Sequence, residues 1–283
     1  MDTELKLKIK KKIEKSIHNY FIKKSKKEIN HRHVLDGIFP RERRIRSLIG
    51  GLETSMGRTL WEPLAKFLAK NNGYEIIEGK LMMPENVPAE VVEIYNEFKP
   101  LRESESSNVS LMQYVEALRN VLKNIDTSEL KYKKMVSGKG VDIWIRKNGV
   151  EYAFDIKTTQ INAGDGKKFN SFLMDWYMYR LCQNPNMEFH AKIAMPFNPY
   201  KKSWWSHNGS RAYPLEPKRD LVIEDEFWDF LSGFENTWGE INKIFEEIGA
   251  EDFGSQFNNI FNLEIKSEQL AFNLDDLKED VIK

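Results

Sequence analysis

Apolar and polar residues alternate through residues 141–156, on either side of Asn148-Gly149. Asn-Gly is the strongest short signal for a two-residue type I′ turn, because both central positions need a positive φ. Such a turn sets the register of the paired strands, so Asp142 should lie directly opposite Asp155. The pattern predicts a β-hairpin with one apolar face on a core and one face that carries charged residues.

Segments on both sides of the hairpin show helix or strand periodicity. We predict helices over residues 3–30, from about 57 to Gly73, and around 88–97, 110–124 and 171–182, with strands at 74–78 and from 187 to Pro196. The order helix, strand, hairpin, helix, strand indicates an α/β (α+β) fold. Its central mixed β-sheet should be flanked by helices, with helical N- and C-terminal elaborations.

The charged face of the hairpin holds Asp142, Asp155 and, two residues further on, Lys157. Directly opposite strand positions have Cβ atoms roughly 4.5–5.5 Å apart, and two carboxylates at that distance destabilise a sheet unless a cation lies between them. Oxygen ligands of this kind suit Mg²⁺, which is typically held by one or two carboxylates, water and substrate phosphate. A metal beside a lysine indicates phosphodiester cleavage. The alternative is a solvated face on which Lys157 alone neutralises Asp155.

The composition is that of an ordinary globular chain of 283 residues, 41% of them hydrophobic. The single Cys182 excludes a disulfide within the chain and fits a reducing compartment. No cationic and apolar leader opens the sequence, and no apolar run approaches about 18 residues. We therefore expect a cytoplasmic protein that does not span a membrane.

Charge is distributed unevenly, although the formal net charge is zero. Residues 1–46 hold 15 basic against 6 acidic side chains, whereas residues 220–283 hold 4 against 17. The neutral total argues against charge-driven binding of nucleic acid over the whole surface, but it is compatible with a local basic face that binds nucleic acid. The acidic C-terminal region could dock on the basic N-terminal region, within one subunit or between two.

Residues 200–220 combine basic, aromatic and turn-forming residues. This mixture suits contacts to phosphates and to base edges. The candidate DNA contacts in this segment are Lys201, Lys202, His207, Asn208 and Arg211. The alternative is a surface loop whose tryptophans pack beneath it.

The order of the core elements, together with Asp142 and the run Asp155-Ile156-Lys157, resembles the PD-(D/E)xK nuclease superfamily, which includes most type II restriction endonucleases. The first acid of the superfamily falls on Asp142, and its (D/E)xK falls on Asp155 and Lys157. Val141 stands where a proline is usual.

Many members of the superfamily also carry a glutamate on the helix before the first strand. In "GRTLWEPLAKFLAKNNGYEII" this position falls on Glu62, and Glu53 in "GGLETSMG" is the alternative. The resemblance covers roughly residues 53–197. Within it, "GLETSMGRTLWEPLAK" and "DIKTTQINAGDGKKFN" look most like the TdeIII-type group, which would imply a palindromic target of the GGNCC kind.

The resemblance implies a restriction-endonuclease-like core with Mg²⁺ as the cofactor and Mn²⁺ as a substitute. Asp142, Asp155 and the backbone carbonyl of Ile156 would bind the ion, and Lys157 would orient or deprotonate the attacking water. Glu62 would complete the ligand shell or hold a second water. The products from double-stranded DNA would carry 5′-phosphate and 3′-hydroxyl ends. Because a palindromic target mirrors two-fold protein symmetry, a homodimer is the expected assembly.

We expect a single endonuclease domain over residues 1–283. It would comprise a basic helical region (1–52), a PD-(D/E)xK core (53–197) with a helical insertion (80–135), and a basic-aromatic loop followed by an acidic helical region (198–283). The loop after Lys157 could reach into a DNA groove, where its polar residues would contact bases or phosphates: Gln160, Asn162, Lys167, Lys168 and Asn170. The alternative is that they are ordinary polar residues of a glycine-rich loop. Two other functions stay open, a DNA repair or junction-resolving nuclease and a non-catalytic DNA-binding protein.

Overall fold

A five-stranded mixed β-sheet with helices on both faces forms the centre of the computed structural model, which describes residues 1–25, 34–157 and 161–261. The strands are β1 (Glu75–Ile76), β2 (Met82–Pro84), β3 (Tyr132–Lys134), β4 (Ile143–Lys147), β5 (Val150–Ile156), β6 (Phe189–Met195) and β7 (Leu221–Ile223). The helices are α1 (Thr3–Ser25), α2 (Pro40–Met56), α3 (Glu62–Asn71), α4 (Ala89–Arg102), α5 (Leu111–Leu122), α6 (Asp165–Gln183), α7 (Trp204–Ala212), α8 (Asp225–Ser232), α9 (Thr237–Ala250) and α10 (Asn258–Phe261). The predicted fold class is confirmed.

The hairpin has the predicted turn and register. Asn148 and Gly149 have φ values of 51° and 80°, as a type I′ turn requires. Lys147 lies opposite Val150, and each further pair follows in order to Ile143 opposite Phe154. Strand β4 begins one residue after Asp142, which lies in the bend at its entrance.

Strand order in the main sheet is β1-β4-β5-β6-β7. The pairs β1 with β4 and β4 with β5 are antiparallel, whereas β5 with β6 and β6 with β7 are parallel. Parallel neighbours need a crossover connection, and α6 and α7 supply the two crossovers. The parallel strands β5, β6 and β7 therefore all end at the same edge of the sheet.

Both faces of the sheet are buried, which argues against the alternative of a solvated charged face on the hairpin. Ile143 and Phe154 lie in a core with α1, α3, α8 and α9, while Trp144 and Ala153 lie in a second core with α4, α5, α6 and α7. Crossover helices cover both faces of a sheet with parallel strands, so alternation of polar and apolar residues is not a sign of exposure here.

Helix α6 begins at Asp165, six residues before the predicted start, and is buried along most of its length. The structure confirms that its aromatic residues belong to the core, since Trp176 is 0% and Tyr177 2% exposed. Helices α4 and α5 lie close to the predicted positions, and Ser110 and Gln113 form a capping box at the start of α5.

The basic N-terminal helix α1 buries a stripe of apolar residues that includes Ile9 and Ile13. Two of its lysines form ion pairs with the C-terminal region: Lys6 with Glu240, and Lys10 with Glu251. The described part of the acidic region thus docks on the basic helix within a single chain, one of the two arrangements that the charge distribution allowed.

Residues 204–212 form helix α7, so the predicted basic-aromatic loop is wrong over this stretch. Trp204 is 4% exposed and packs into the core, as the alternative interpretation required. Among the helices of the described ranges, not one is long and apolar enough to cross a membrane.

Candidate active site

Asp142 and Asp155 meet at the edge where the parallel strands end. The backbone N–H of Asp142 donates to the carbonyl of Phe154, and the N–H of Ile156 donates to Oδ2 of Asp142, both at 2.9 Å. The N–H of Lys157 donates to the carbonyl of Ala194 on β6, also at 2.9 Å. Backbone hydrogen bonds thus hold the three predicted site residues at one end of the hairpin.

The Asp155 carboxylate is buried, with 4% of the residue exposed, and forms an ion pair with Lys157. Burial raises the pKa of Asp155 to about 7, the neighbouring Lys157 ammonium opposes the rise, and Asp142 adds to it. Desolvation and the neighbouring carboxylate of Asp142 together outweigh the effect of the Lys157 ammonium on the pKa of Asp155. Such strongly perturbed groups cluster at functional sites.

The donor atoms at this edge fit a hard divalent cation. Asp142 and Asp155 supply carboxylate oxygens, and the carbonyl of Ile156 lies between Asp155 and Lys157 in sequence. Within residues 1–25, 34–157 and 161–261, no group of three or more His, Cys, Asp or Glu residues could hold a metal ion. An ion here would have to complete its shell with backbone oxygen, water and phosphate, which is how Mg²⁺ is usually bound.

The two candidates for a further acidic residue lie in different surroundings. Glu62 accepts a hydrogen bond of 2.6 Å from Nζ of Lys66, one turn along α3. Glu53 is exposed on the last turns of α2 and lines the same cleft as Lys157. The structure brings Glu53, the sequence alternative, into the cleft with Lys157.

This cleft has a volume of about 410 Å³ and opens beside Lys157. Its lining is mostly apolar and combines the C-terminal part of α2, the residues after β6 and the start of α7: Glu53, Thr54, Met56, Trp61, Lys157, Met195, Pro196, Phe197, Pro199 and Trp204. We call it the Lys157 cleft.

The Lys157 side chain is 27% exposed, so it can reach solvent from the cleft wall. Its Nζ also lies 5.6 Å from the centre of the Phe169 ring on α6. An ammonium at that distance from an aromatic face is attracted by the ring quadrupole. Asp155 and Phe169 therefore hold the lysine from two sides.

The ten predicted DNA contacts fall into three groups. Seven are exposed on the surface: Asn162, Lys167, Lys168, Lys201, Lys202, His207 and Arg211. Asn170 and Asn208 are 0% exposed, so their assignment as groove contacts is corrected. Gln160 lies outside the described residues.

Asn170 belongs to a buried polar network that the sequence did not reveal. Arg102, 2% exposed on α4, donates to Oδ1 of Asn170 at 2.7 Å and to Oδ2 of Asp220 at 2.8 Å. Its partners are 68 and 118 residues away along the chain, so no local pattern could indicate them. The network ties the helical insertion to α6 and to the segment before β7.

A second network surrounds Glu151, which is 0% exposed on β5. Arg180 donates to both of its carboxylate oxygens, at 2.7 and 3.0 Å, and Arg146 donates to Oε1 at 2.7 Å. The cross-strand pair of Arg146 with Glu151 follows from the hairpin register. The contribution of Arg180 depends on the packing of α6 over the sheet.

The mixed sheet, its flanking helices and an acidic pair with a lysine at one edge are consistent with the PD-(D/E)xK nucleases. The family model described as "Type II restriction endonuclease, HinfI" matches residues 1–249, and the chain belongs to this family. The members of this family are type II restriction endonucleases. The narrower likeness to the TdeIII-type group, with its GGNCC-type target, stays a prediction.

Two curated proteins are similar to the chain. The type II restriction enzyme MjaII of Methanocaldococcus jannaschii is 22% identical over 82% of this chain and 62% of its own length. The type II restriction enzyme HgiCII of Herpetosiphon aurantiacus is 30% identical over 38% of this chain and 39% of its own length. The chain thus spans less than two thirds of either relative. No solved structure matches the chain.

Proposed function

We propose that the protein is a type II restriction endonuclease that makes Mg²⁺-dependent double-strand cuts at a short palindromic DNA sequence and leaves 5′-phosphate ends. The observation that carries the proposal is the convergence of Asp142, Asp155 and Lys157 where β5 ends. The names of the family and of both relatives support it.

Asp142, Asp155 and the carbonyl of Ile156 would hold Mg²⁺, which when bound activates water and neutralises charge on the scissile phosphate. Lys157 would orient the attacking water or take its proton, because its ammonium lies in a cleft that substrate can enter. Glu53 would position a second water at the mouth of the same cleft. Phe169 and Asp155 limit the positions that the Lys157 Nζ can take.

Exposed basic residues near the start of α6 and around α7 would contact the DNA backbone. Lys167 and Lys168 follow the site along the chain, and Arg211 lies on α7. Contacts of this kind hold the register on the duplex, whereas base-edge contacts set the sequence. A homodimer acting in the cytoplasm fits a palindromic target.

Digestion of a sequenced plasmid with the purified protein tests the proposal. We expect discrete fragments with Mg²⁺, none with EDTA, and bound but uncut DNA with Ca²⁺. Mapping the fragment ends gives the target and the cut position, and ligation without added kinase reports 5′-phosphates.

Asp155→Asn should abolish cleavage while DNA binding in Ca²⁺ persists. Glu75→Gln is the matched control, because Glu75 is an exposed carboxylate at the far end of the same sheet and pairs only loosely with Arg146 at 3.3 Å. Nicking of branched or damaged DNA without discrete plasmid fragments would indicate a repair nuclease. DNA binding unaltered by the substitution, with no cleavage by either protein, would indicate a non-catalytic DNA-binding protein.

A further inference from the structure

We propose that the Lys157 cleft receives one nucleobase that leaves the DNA stack next to the scissile phosphate. The inference rests on the proposed endonuclease function and adds a subsite to it. Asp142, Asp155 and Lys157 account for the metal and the phosphate, and of these three Lys157 lines the cleft. Apart from Glu53, the remaining wall has no role in that chemistry.

The remaining wall is chemically unsuited to a phosphate and suited to a base. The half-buried Phe197 contributes an aromatic face, and the largely buried rings of Trp61 and Trp204 back the wall together with Met195 and Pro196. Phosphate and deoxyribose present polar or small groups, whereas a base presents a flat π-face that stacks on aromatic side chains with any sequence. A base is therefore the part of a DNA strand that this surface fits.

The size of the cleft is sufficient for one base. Its volume of about 410 Å³ lies in the range of pockets that take single small molecules. A base pair inside a duplex cannot enter such a space without unstacking. Because Lys157 lines the cleft, a phosphate at the lysine places its own nucleoside at the cleft mouth.

The aromatic wall is held in place before any DNA binds. The Phe197 ring stacks on Trp238, with centroids 5.7 Å apart and planes inclined by 17°, and Trp61 packs against Phe245 at 5.9 Å. The indole N–H of Trp228 donates to the carbonyl of Pro196 at 2.6 Å. A pre-organised stacking surface lowers the ordering cost of binding and offsets the cost of unstacking.

The test uses duplexes that contain the target mapped by plasmid digestion, each with 2-aminopurine at one position in or beside it. Binding is measured in Ca²⁺, so the DNA stays uncut. We expect the fluorescence to rise several-fold at a single position next to the scissile phosphate, because 2-aminopurine is quenched when stacked in DNA. The other positions should stay quenched.

Three variants test whether the fluorescence rise depends on the Phe197 ring. Phe197→Leu removes the ring and should suppress the fluorescence rise and weaken binding by about tenfold, the lower part of the range for losing one base stack. Phe197→Tyr keeps the ring and should restore both. Phe234→Ala removes an exposed ring in the turn between α8 and α9 and should leave both unchanged.

Cleavage in Mg²⁺ with every position quenched in Ca²⁺ would overturn the subsite and leave the endonuclease function intact. A fluorescence rise that persists in a folded Phe197→Leu protein, checked by its melting temperature, would also overturn it. Absence of cleavage by the wild-type protein would overturn the endonuclease function and the subsite together.

Discussion

Replacing Asp155 by asparagine should stabilise the metal-free protein while it removes activity. The pKa of the Asp155 carboxyl is raised from 3.8 to about 7, chiefly by burial. A raised carboxyl pKa means that the folded protein binds the proton more tightly than the unfolded chain does. The favourable contribution is therefore present below pH 4 and is lost as the pH rises through about 7.

The size of the effect follows from that shift. A rise of about three pKa units at about 1.4 kcal/mol per unit corresponds to a penalty of about 4 kcal/mol for the ionised carboxylate at pH 8. Asparagine avoids the penalty but leaves Lys157 without its partner. Because the Lys157 side chain is 27% exposed, water replaces much of that interaction, and the loss is about 1 kcal/mol or less. The expected net gain is about 3–4 kcal/mol.

The assay is thermal unfolding in EDTA. At about 2 °C per kcal/mol for a chain of this size, Asp155→Asn should melt about 6–8 °C above the wild type at pH 8. The gap should narrow steadily as the pH is lowered toward 5. Added Mg²⁺ should raise the melting temperature of the wild type but not of the variant, since only a folded protein that binds the ion gains from it.

A variant that melts at or below the wild-type temperature at pH 8 would refute the reasoning, and so would a gap that does not change with pH. Glu75→Gln serves as the control here as well. Its carboxylate is exposed, so its removal should change the melting temperature little at any pH.

Three further outcomes are expected. Glu53→Gln should slow single-turnover cleavage at least tenfold with DNA binding in Ca²⁺ retained. Glu62→Gln should cleave at close to the wild-type rate. Equal cleavage rates for the two variants would contradict the choice of Glu53. Glu151→Gln should cost about 3–5 kcal/mol in urea unfolding at pH 7, because it leaves a buried arginine of α6 without its charge partner. Burial opposes ionisation of Glu151, but its arginine hydrogen bonds prevail and lower its pKa, so this stability is present above about pH 4.5 and the difference from the variant should shrink as the pH falls below that. Arg102→Met should likewise cost about 3–5 kcal/mol by leaving the Asp220 carboxylate buried and unpaired, and a loss under 1 kcal/mol would show that the network is not stabilising.

The hairpin and its acidic pair could be predicted because the interactions that determine them are local. A two-residue turn permits one register, and that register places Asp142 and Asp155 together whatever packs around them. The same register places Arg146 opposite Glu151, with which it forms an ion pair. The helices and strands of the core also follow periodicities that extend over a few turns.

The position of the further acidic residue could not be predicted in this way. Glu53 and Glu62 lie on either side of a five-residue π-helical segment, Gly57–Trp61, that joins α2 to α3. A π-helical turn shifts the residues that follow it around the helix axis, so a periodicity of 3.6 residues carried across it places them on the wrong face. The structure shows one of the two in the Lys157 cleft and the other paired with Lys66.

Local chemistry in the sequence thus determined the strands, their register and the pair of carboxylates with their lysine. Tertiary structure alone decided which polar residues are buried: Asn170, Asn208 and Arg102 have the composition of surface residues and lie in the interior. The hydrogen-bond partners of Arg102, for example, are 68 and 118 residues away along the chain. The free energy of burying a polar side chain depends on whether such partners form their hydrogen bonds with it. The same long-range packing built the aromatic wall beside Lys157 from α7, the π-helical segment before α3 and the residues after β6.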